Sequence, residues 1–311
     1  MDYDVIGDIH GQGGMLHALL RRLGYVERGG AYRHPNRCAV FVGDFIDRGP
    51  QQVDAVMTVR RMVDCGSSLA IMGNHEFNAI AWHTPDPLTP GETLRPRRGR
   101  WGESNRRQHA AFLAEVEDSP ALHTELVEWF LTLPLWLDLP GIRVVHACWH
   151  SGYMAELEPK LRLGARLDRE LVAAASREGG LEFRAVEALT KGLEIDLPDG
   201  HAFSDKDGIE RRRVRLRWWD TTGRTYRDLA AVDEDLRQRL PTMDLETPNL
   251  SIDCGTKPVF FGHYWMSGLP APLSNRAVCV DYSAGKGGPL TAYRWDGEER
   301  LDRTKFVSTE E

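Results

Sequence analysis

The apolar pair Val5-Ile6 stops abruptly at Gly7-Asp8-Ile9-His10-Gly11. In extended backbone, residues i and i+2 point to one face, so Asp8 and His10 present a carboxylate oxygen and an imidazole nitrogen together where a strand ends. That pairing suits a first-row metal ion, but two ligands do not hold one well. Other apolar segments end the same way. Ala39-Val40-Phe41-Val42 runs into Gly43-Asp44-Phe45-Ile46-Asp47-Arg48-Gly49, and Leu69-Ala70-Ile71-Met72 into Gly73-Asn74-His75-Glu76. Val144-Val145 meets His146, and Val259-Phe260-Phe261 meets Gly262-His263. Sites of open α/β sheets lie beyond the carboxyl ends of their strands, so these ends could converge.

The elements that must position them alternate as β-α-β-α-β over the first 80 residues. Met15, Leu16, Leu19, Leu20 and Leu23 recur at helical spacing before Gly24. After the second strand, Pro50 opens a helix carrying Val53, Val56, Met57, Val59 and Val63, closed near Gly66. The third strand leads into a helix from about Glu76. Residues 83–107 then hold Pro85, Pro87, Pro90 and Pro96 among many arginines, which predicts an irregular insertion followed by one helix across roughly 108–131. Leu135–Leu139 and Ile142–Val145 read as a hairpin around Pro140-Gly141. Residues 153–240 read as mainly helical and charged, interrupted by extended Arg213–Trp219. Val259–Phe261, Ala277–Asp281 and Leu290–Trp295 close the chain as strands. With candidate ligands spread from 8 to 263, one domain over 1–311 is expected, with insertions at about 83–135 and 150–255 forming a cap.

Composition narrows the classes. The chain has 311 residues, 41% apolar and 27% charged, close to soluble globular proteins. No run approaches the ~20 apolar residues of a membrane span, and no basic-then-apolar leader opens the chain. Cysteines 38, 65, 148, 254 and 279 are odd in number and scattered, which suits reduced thiols in a cytoplasm. A net charge of −7 argues against a general nucleic-acid or anionic-membrane binder. Oligomeric state is not legible.

Taken in order, the five blocks resemble the motif set of calcineurin-like metallophosphoesterases, and the Asp47-Arg48-Gly49 ending narrows this to the phosphoprotein phosphatase branch. Phe261-Gly262-His263-Tyr264-Trp265 and Gly287-Gly288-Pro289-Leu290-Thr291 are similar to bacterial members, including symmetrical diadenosine tetraphosphatases. The resemblance covers most of the core and little of 83–135 or 150–255. It implies an α/β fold, a central β-sandwich of two mixed sheets flanked by helices, with a largely helical cap. It also implies two divalent cations, manganese first with iron or zinc as alternatives, about 3.5–4 Å apart. Asp44 would bridge them, Asp8 and His10 would complete one ligand set, and Asn74, His146 and His263 the other.

By the same resemblance His75 donates a proton to the leaving oxygen, Asp47 orients and charges that ring, and Arg48 grips phosphate oxygens. A hydroxide held between the cations would attack directly, with no phosphoenzyme. The expected substrate is a phosphorylated protein or small phosphoester, with phosphoserine or phosphothreonine first and diadenosine tetraphosphate as the alternative. A scaffold role would not need the complete ligand set. A second phosphate-binding arginine is expected, with Arg215, Arg217 and Arg224 all open.

Each residue alone has a plainer reading. Asp8 or Asp44 could cap the following helix, Glu76 could be a first-turn acid, and His146 a core histidine. His17, His34, His83, His109, His123 and His201 match no motif, and packing is the default for Cys148 and His150. The arginines of 95–107, with Trp101, could recruit an acidic substrate, and a solvated loop is their plainer reading. Trp218-Trp219 and Tyr264-Trp265 could wall a cleft or simply pack.

Overall fold

A computed structural model describes residues 2–204, 210–245 and 255–310. The chain opens with β1 (Asp2–Ile6), α1 (Gly13–Arg22), a hairpin of β2 (Val26–Arg28) and β3 (Ala31–Arg33), then β4 (Arg37–Phe41), α2 (Gln52–Asp64), β5 (Ser68–Ala70) and α3 (Asn74–His83). Helices α4 (Gly99–Gln108), α5 (Ala110–Val116) and α6 (Pro120–Leu131) precede the hairpin of β6 (Trp136–Asp138) and β7 (Arg143–Val145). Next come α7 (Ser151–Leu157), α8 (Arg169–Ala175) and α9 (Leu181–Lys191), followed by β8 (Glu194–Asp196), β9 (Phe203–Ser204), β10 (Glu210–Arg211) and β11 (Arg213–Arg215). Short α10 (Tyr226–Leu229) and α11 (Glu234–Arg237) lead to β12 (Val259–Phe261), β13 (Ala277–Cys279), β14 (Thr291–Trp295) and β15 (Phe306–Ser308).

Two mixed sheets form the centre. One has the order β15-β14-β1-β4-β5, the other β13-β12-β7-β6. Side-chain alternation explains why they stack. Tyr3, Val5, Val40 and Val42 point from the first sheet into one buried cluster, which Val144, Phe260, Val278 and Val280 enter from the second. The intervening Ile6, Ala39 and Phe41, with Val145, Val259 and Phe261, join the core that holds the helices. Strands buried on both faces read as unbroken apolar runs, which is what the sequence displays.

β1, β4 and β5 run parallel, with Ile6 level with Phe41 and Phe41 with Ala70. β7, β12 and β13 also run parallel, with Phe260 level with Val144 and Phe261 with Cys279. The carboxyl ends that carry candidate ligands are therefore level within each sheet.

Three expectations need correction. Residues 83–107 are not irregular throughout, because α4 begins at Gly99. The single helix over 108–131 is α5 and α6 instead. Pro120 stands at the first position of α6 and Ser119 before it is non-helical (φ −129°, ψ 80°), which breaks the run. Extended structure at 213–219 is limited to β11, and β15 had no signal. Cys254 and parts of the 150–255 insertion lie outside the described residues. Among the described residues, no helix is long and apolar enough to cross a membrane.

Candidate metal centre

The turns after β1, β4, β5, β7 and β12 meet at one point, and their glycines pack too closely against the neighbouring carboxylates to carry a side chain. A Cβ on Gly262 would lie 1.9 Å from Asp8 Oδ1, and one on Gly73 2.2 Å from Asp44 Oδ1. Backbone strain gathers in the same place. His10, Asp44, Asp47, Arg48, His263, Trp265 and Ser283 all have positive φ, with Ala165 the one other such non-glycine among the described residues. Each such residue costs ~1–3 kcal/mol and persists only where its surroundings enforce it.

Asp44 occupies the centre. Its Oδ2 lies 3.3 Å from His146 Nε2, 3.9 Å from His10 Nε2 and 3.8 Å from His75 Nε2. Its Oδ1 accepts the His75 backbone N–H at 2.9 Å. Two overlapping groups share it: His10, Asp44 and His75 on one side, Asp44, His146 and His263 on the other, each with ligand atoms within 4.8 Å. Asn74 Oδ1 faces His263 Nδ1 at 2.8 Å and His146 Nε2 at 3.3 Å, joining the second group. Asp8 Oδ2 accepts the His263 backbone N–H at 3.0 Å.

Hydrogen bonds set the imidazoles for a cation. His10 Nδ1 donates to the Ile46 carbonyl at 3.1 Å and His146 Nδ1 to the Val42 carbonyl at 2.7 Å, so each turns Nε2 inward. His10 Nε2 and Asp8 Oδ1 are buried without any partner. Orphaned buried acceptors of this kind are rare, and a first-row divalent cation would satisfy both. Burial, then His75, holds His10 down at about 3, and burial with Arg215 lowers His263 well below the imidazole range. Both shifts favour the neutral ring that a metal ligand needs, whereas Asp44 outweighs burial at His146 and raises that ring to about 10. Burial and then Asp281 push the Asp8 carboxyl well up, an unfavourable confinement of negative charge that a divalent cation would offset. The residues present fit a pair of divalent ions.

Beside this lies a second constellation. His75 Nδ1 donates to Asp47 Oδ2 at 2.5 Å, and His109 Nδ1 to Asp47 Oδ1 at 2.8 Å. The Asp47 N–H reaches Gln52 Oε1 at 2.6 Å. Burial opposes charge on both partners, yet the two histidines bring Asp47 down to about 2, and Asp44 with Asp47 raises His75. Arg48 is exposed, its guanidinium 4.7 Å from the Trp265 ring, with Lys286 Nζ 3.7 Å from the same ring. Trp265 also stacks on His10 at 4.9 Å.

All nine expected site residues thus come together. Neither Asp8 nor Asp44 caps the helix after it, since Gln12 and Gln51 hold those positions. Of the three arginines only Arg215 reaches the centre, with Nη1 3.1 Å from His263 Nε2 and Nη2 3.0 Å from Glu194 Oε1. Arg217 pairs with Asp220 and Arg224 is exposed. Glu76 is a first-turn acid that also reaches beyond its own helix, because its carboxylate accepts the N–H groups of Asp44, Phe45 and Gly73. Trp218 donates Nε1 to the Ala147 carbonyl and packs on Phe261, and His150 caps α7.

Two buried residues carry no motif in the sequence. Asp281 accepts from the Trp265 and Ser283 N–H groups, and it follows β13, so the strand-end rule could have found it. His109 had no signal.

The family model described as calcineurin-like phosphoesterase matches residues 1–160. The chain belongs to that family. Among similar proteins, an asymmetrical bis(5'-nucleosyl)-tetraphosphatase of Anoxybacillus flavithermus is 43% identical over 52% of this phosphoesterase and 63% of its own length. The chain spans less than two thirds of the first relatives it matches, from 31% to 63%. A symmetrical bis(5'-nucleosyl)-tetraphosphatase of Methylococcus capsulatus is 24% identical over 94% of this chain and 91% of its own. In fold, the phosphoesterase resembles a protein serine/threonine phosphatase of Saccharomyces cerevisiae (TM-score 0.53, 13% identity, 99% of this chain and 79% of that one).

Proposed function

We propose that this phosphoesterase is a dinuclear hydrolase that transfers a phosphoryl group directly to water. The observation that carries the reading is Asp44 Oδ2, ringed by His146, His10 and His75 at 3.3–3.9 Å, the place of a bridging carboxylate. Asp8, His10 and Asp44 would hold one cation, and Asp44, Asn74, His146 and His263 the other. Two such ions, manganese first, supply an activated water and positive charge for phosphoryl oxygens. Arg48 binds the substrate phosphate by its planar fork, and Arg215 completes that grip from β11. His75, oriented by Asp47, delivers a proton to the leaving oxygen from Nε2. Residues 150–255 act as a cap on one domain, a reading supported by Arg215 reaching His263. Among the described residues Cys38, Cys65 and Cys279 are free thiols, which suits a cytoplasmic setting.

Dinucleoside tetraphosphates are the first substrate class, supported by the names of the relatives and by the two cations, Arg48 and Lys286, gathered over the Trp265 ring beside His10, where a polyphosphate chain would meet them. Phosphoserine and phosphothreonine are the second, favoured by the His75–Asp47 pair, because an alkoxide leaving group needs a proton most. Side-by-side turnover of diadenosine tetraphosphate and a phosphoserine peptide decides between them. Hydrolysis of the peptide alone would reverse the order, and hydrolysis of neither would remove both.

A further inference from the structure

The Asp47 carboxylate is held from both sides, and one of its partners has no part in the chemistry described so far. His75 takes Oδ2, while His109, 62 residues further along the chain, takes Oδ1 at 2.8 Å. Asp47 is 2% exposed and its backbone is left-handed at φ +72°, so its carboxylate sits on a strained turn. A carboxylate tied at one oxygen still rotates about its last torsion, which is broad. Tied at both oxygens, it has one plane, and the imidazole bonded to it has one orientation.

The His109 ring is itself immobilised. It is 3% exposed, meets Trp82 edge-on at 6.1 Å and lies against Phe112 at 5.0 Å. Its Nε2 is buried with no partner, so the bond to Asp47 is that side chain's one polar engagement. His109 is also the junction residue between α4 and α5, where its N–H closes the last turn of α4. The segment inserted after α3 therefore touches the proton-delivery pair through this side chain.

We infer that His109 is a positioning residue for proton delivery: it fixes Asp47, and through Asp47 the aim of His75 at the leaving oxygen. The inference rests on the reading of His75 as proton donor and names the residue that makes this donor effective. Removing the His109 donor leaves a buried carboxylate oxygen unsatisfied and free to turn. The cost falls on the step that moves the proton, and not on phosphate binding.

The test uses the full chain loaded with Mn²⁺ and compares wild type with His75→Asn, His109→Phe and His109→Asn. Phenylalanine keeps the aromatic packing without a donor; asparagine restores an N–H. Each protein is assayed on 4-nitrophenyl phosphate, whose leaving group needs no proton, and on benzyl phosphate, whose leaving group does. His109→Phe should lower kcat on benzyl phosphate by about tenfold with KM held, and change 4-nitrophenyl phosphate by less than about twofold. His109→Asn should recover most of that loss. In parallel, in protein loaded with diamagnetic Zn²⁺ instead, the low-field proton resonance of His75 Nδ1–H should shift or broaden in His109→Phe. Equal losses on both esters, or no loss and an unmoved resonance, overturn the inference if His75→Asn is itself selective for benzyl phosphate. An unselective His75→Asn overturns the proton-donor reading beneath it, and the resonance then reports alone on whether His109 positions the ring.

Discussion

Glu76 Oε2 accepts the backbone N–H of Asp44 at 2.8 Å, across 32 residues of chain. The other oxygen takes the Phe45 N–H at 2.8 Å, and Oε2 also takes that of Gly73 at 3.0 Å. One fully buried carboxylate thus fastens the turn after β4 to the start of α3, and so sets Asp44 against Asn74 and His75.

Glu76→Gln removes one of these acceptors, since an amide presents a single oxygen and its NH2 would face a backbone donor. A buried donor left without a partner costs about 1–3 kcal/mol. The melting temperature should fall by several degrees and turnover with it. A thermal melt that matches wild type would contradict the clamp.

His75→Asn should retain both metal ions, because Nδ1 is spoken for by Asp47 and not by the ligand set. Turnover of an alkyl phosphate should drop by roughly 10²-fold or more, far beyond the loss on an aryl phosphate. Metal analysis and the two rates check this together. Loss of an ion on mutation would make His75 a ligand, a role its place near His10 and Asp44 would permit.

Arg215 approaches His263 Nε2 at 3.1 Å, and after burial it is the next cause holding that ring's proton affinity down. Arg215→Ala removes this charge, so His263 protonates more readily. Protons compete with the metal for the ring, so the variant should release metal at a higher pH than wild type as the solution is acidified. KM for phosphate substrates should rise by about tenfold, as expected for a lost guanidinium–phosphate contact. A metal-release curve shifted to lower pH, or an unchanged one, would deny the coupling.

The five ligand-bearing strand ends were legible because parallel strands buried on both faces show unbroken apolar runs, and each run halts at a metal-ligating residue type. Asp8 with His10 was read from the two-residue period of a strand, but β1 stops at Ile6 and His10 is left-handed at φ +49°, so the turn and not the pleat places the pair. The role of Glu76 was visible only in part: its place in a first turn is local, but its hold on Asp44 and Phe45 depends on tertiary approach. Arg215 could not be told from Arg217 and Arg224 because its reach depends on β11 pairing with β8, which sets Arg215 opposite Glu194. His109 was hidden for a similar reason. Its ring reaches Asp47 only because the chain ends α4 and starts α5 at that residue, a break with no glycine or proline to announce it. The α5–α6 break, by contrast, had Pro120 as a marker, and helical periodicity on either side masked it.

Two cations sharing the Asp44 carboxylate underlie every step of the proposed chemistry. The most direct test is the manganese content of the Mn²⁺-loaded chain and of Asp44→Asn, with electron paramagnetic resonance to detect exchange between paired ions. Wild type should carry two ions per chain with the signature of a coupled pair, and Asp44→Asn should lose that coupling together with most of its metal affinity and turnover. One ion per chain in wild type, or a coupled pair that survives in Asp44→Asn, would contradict the shared carboxylate.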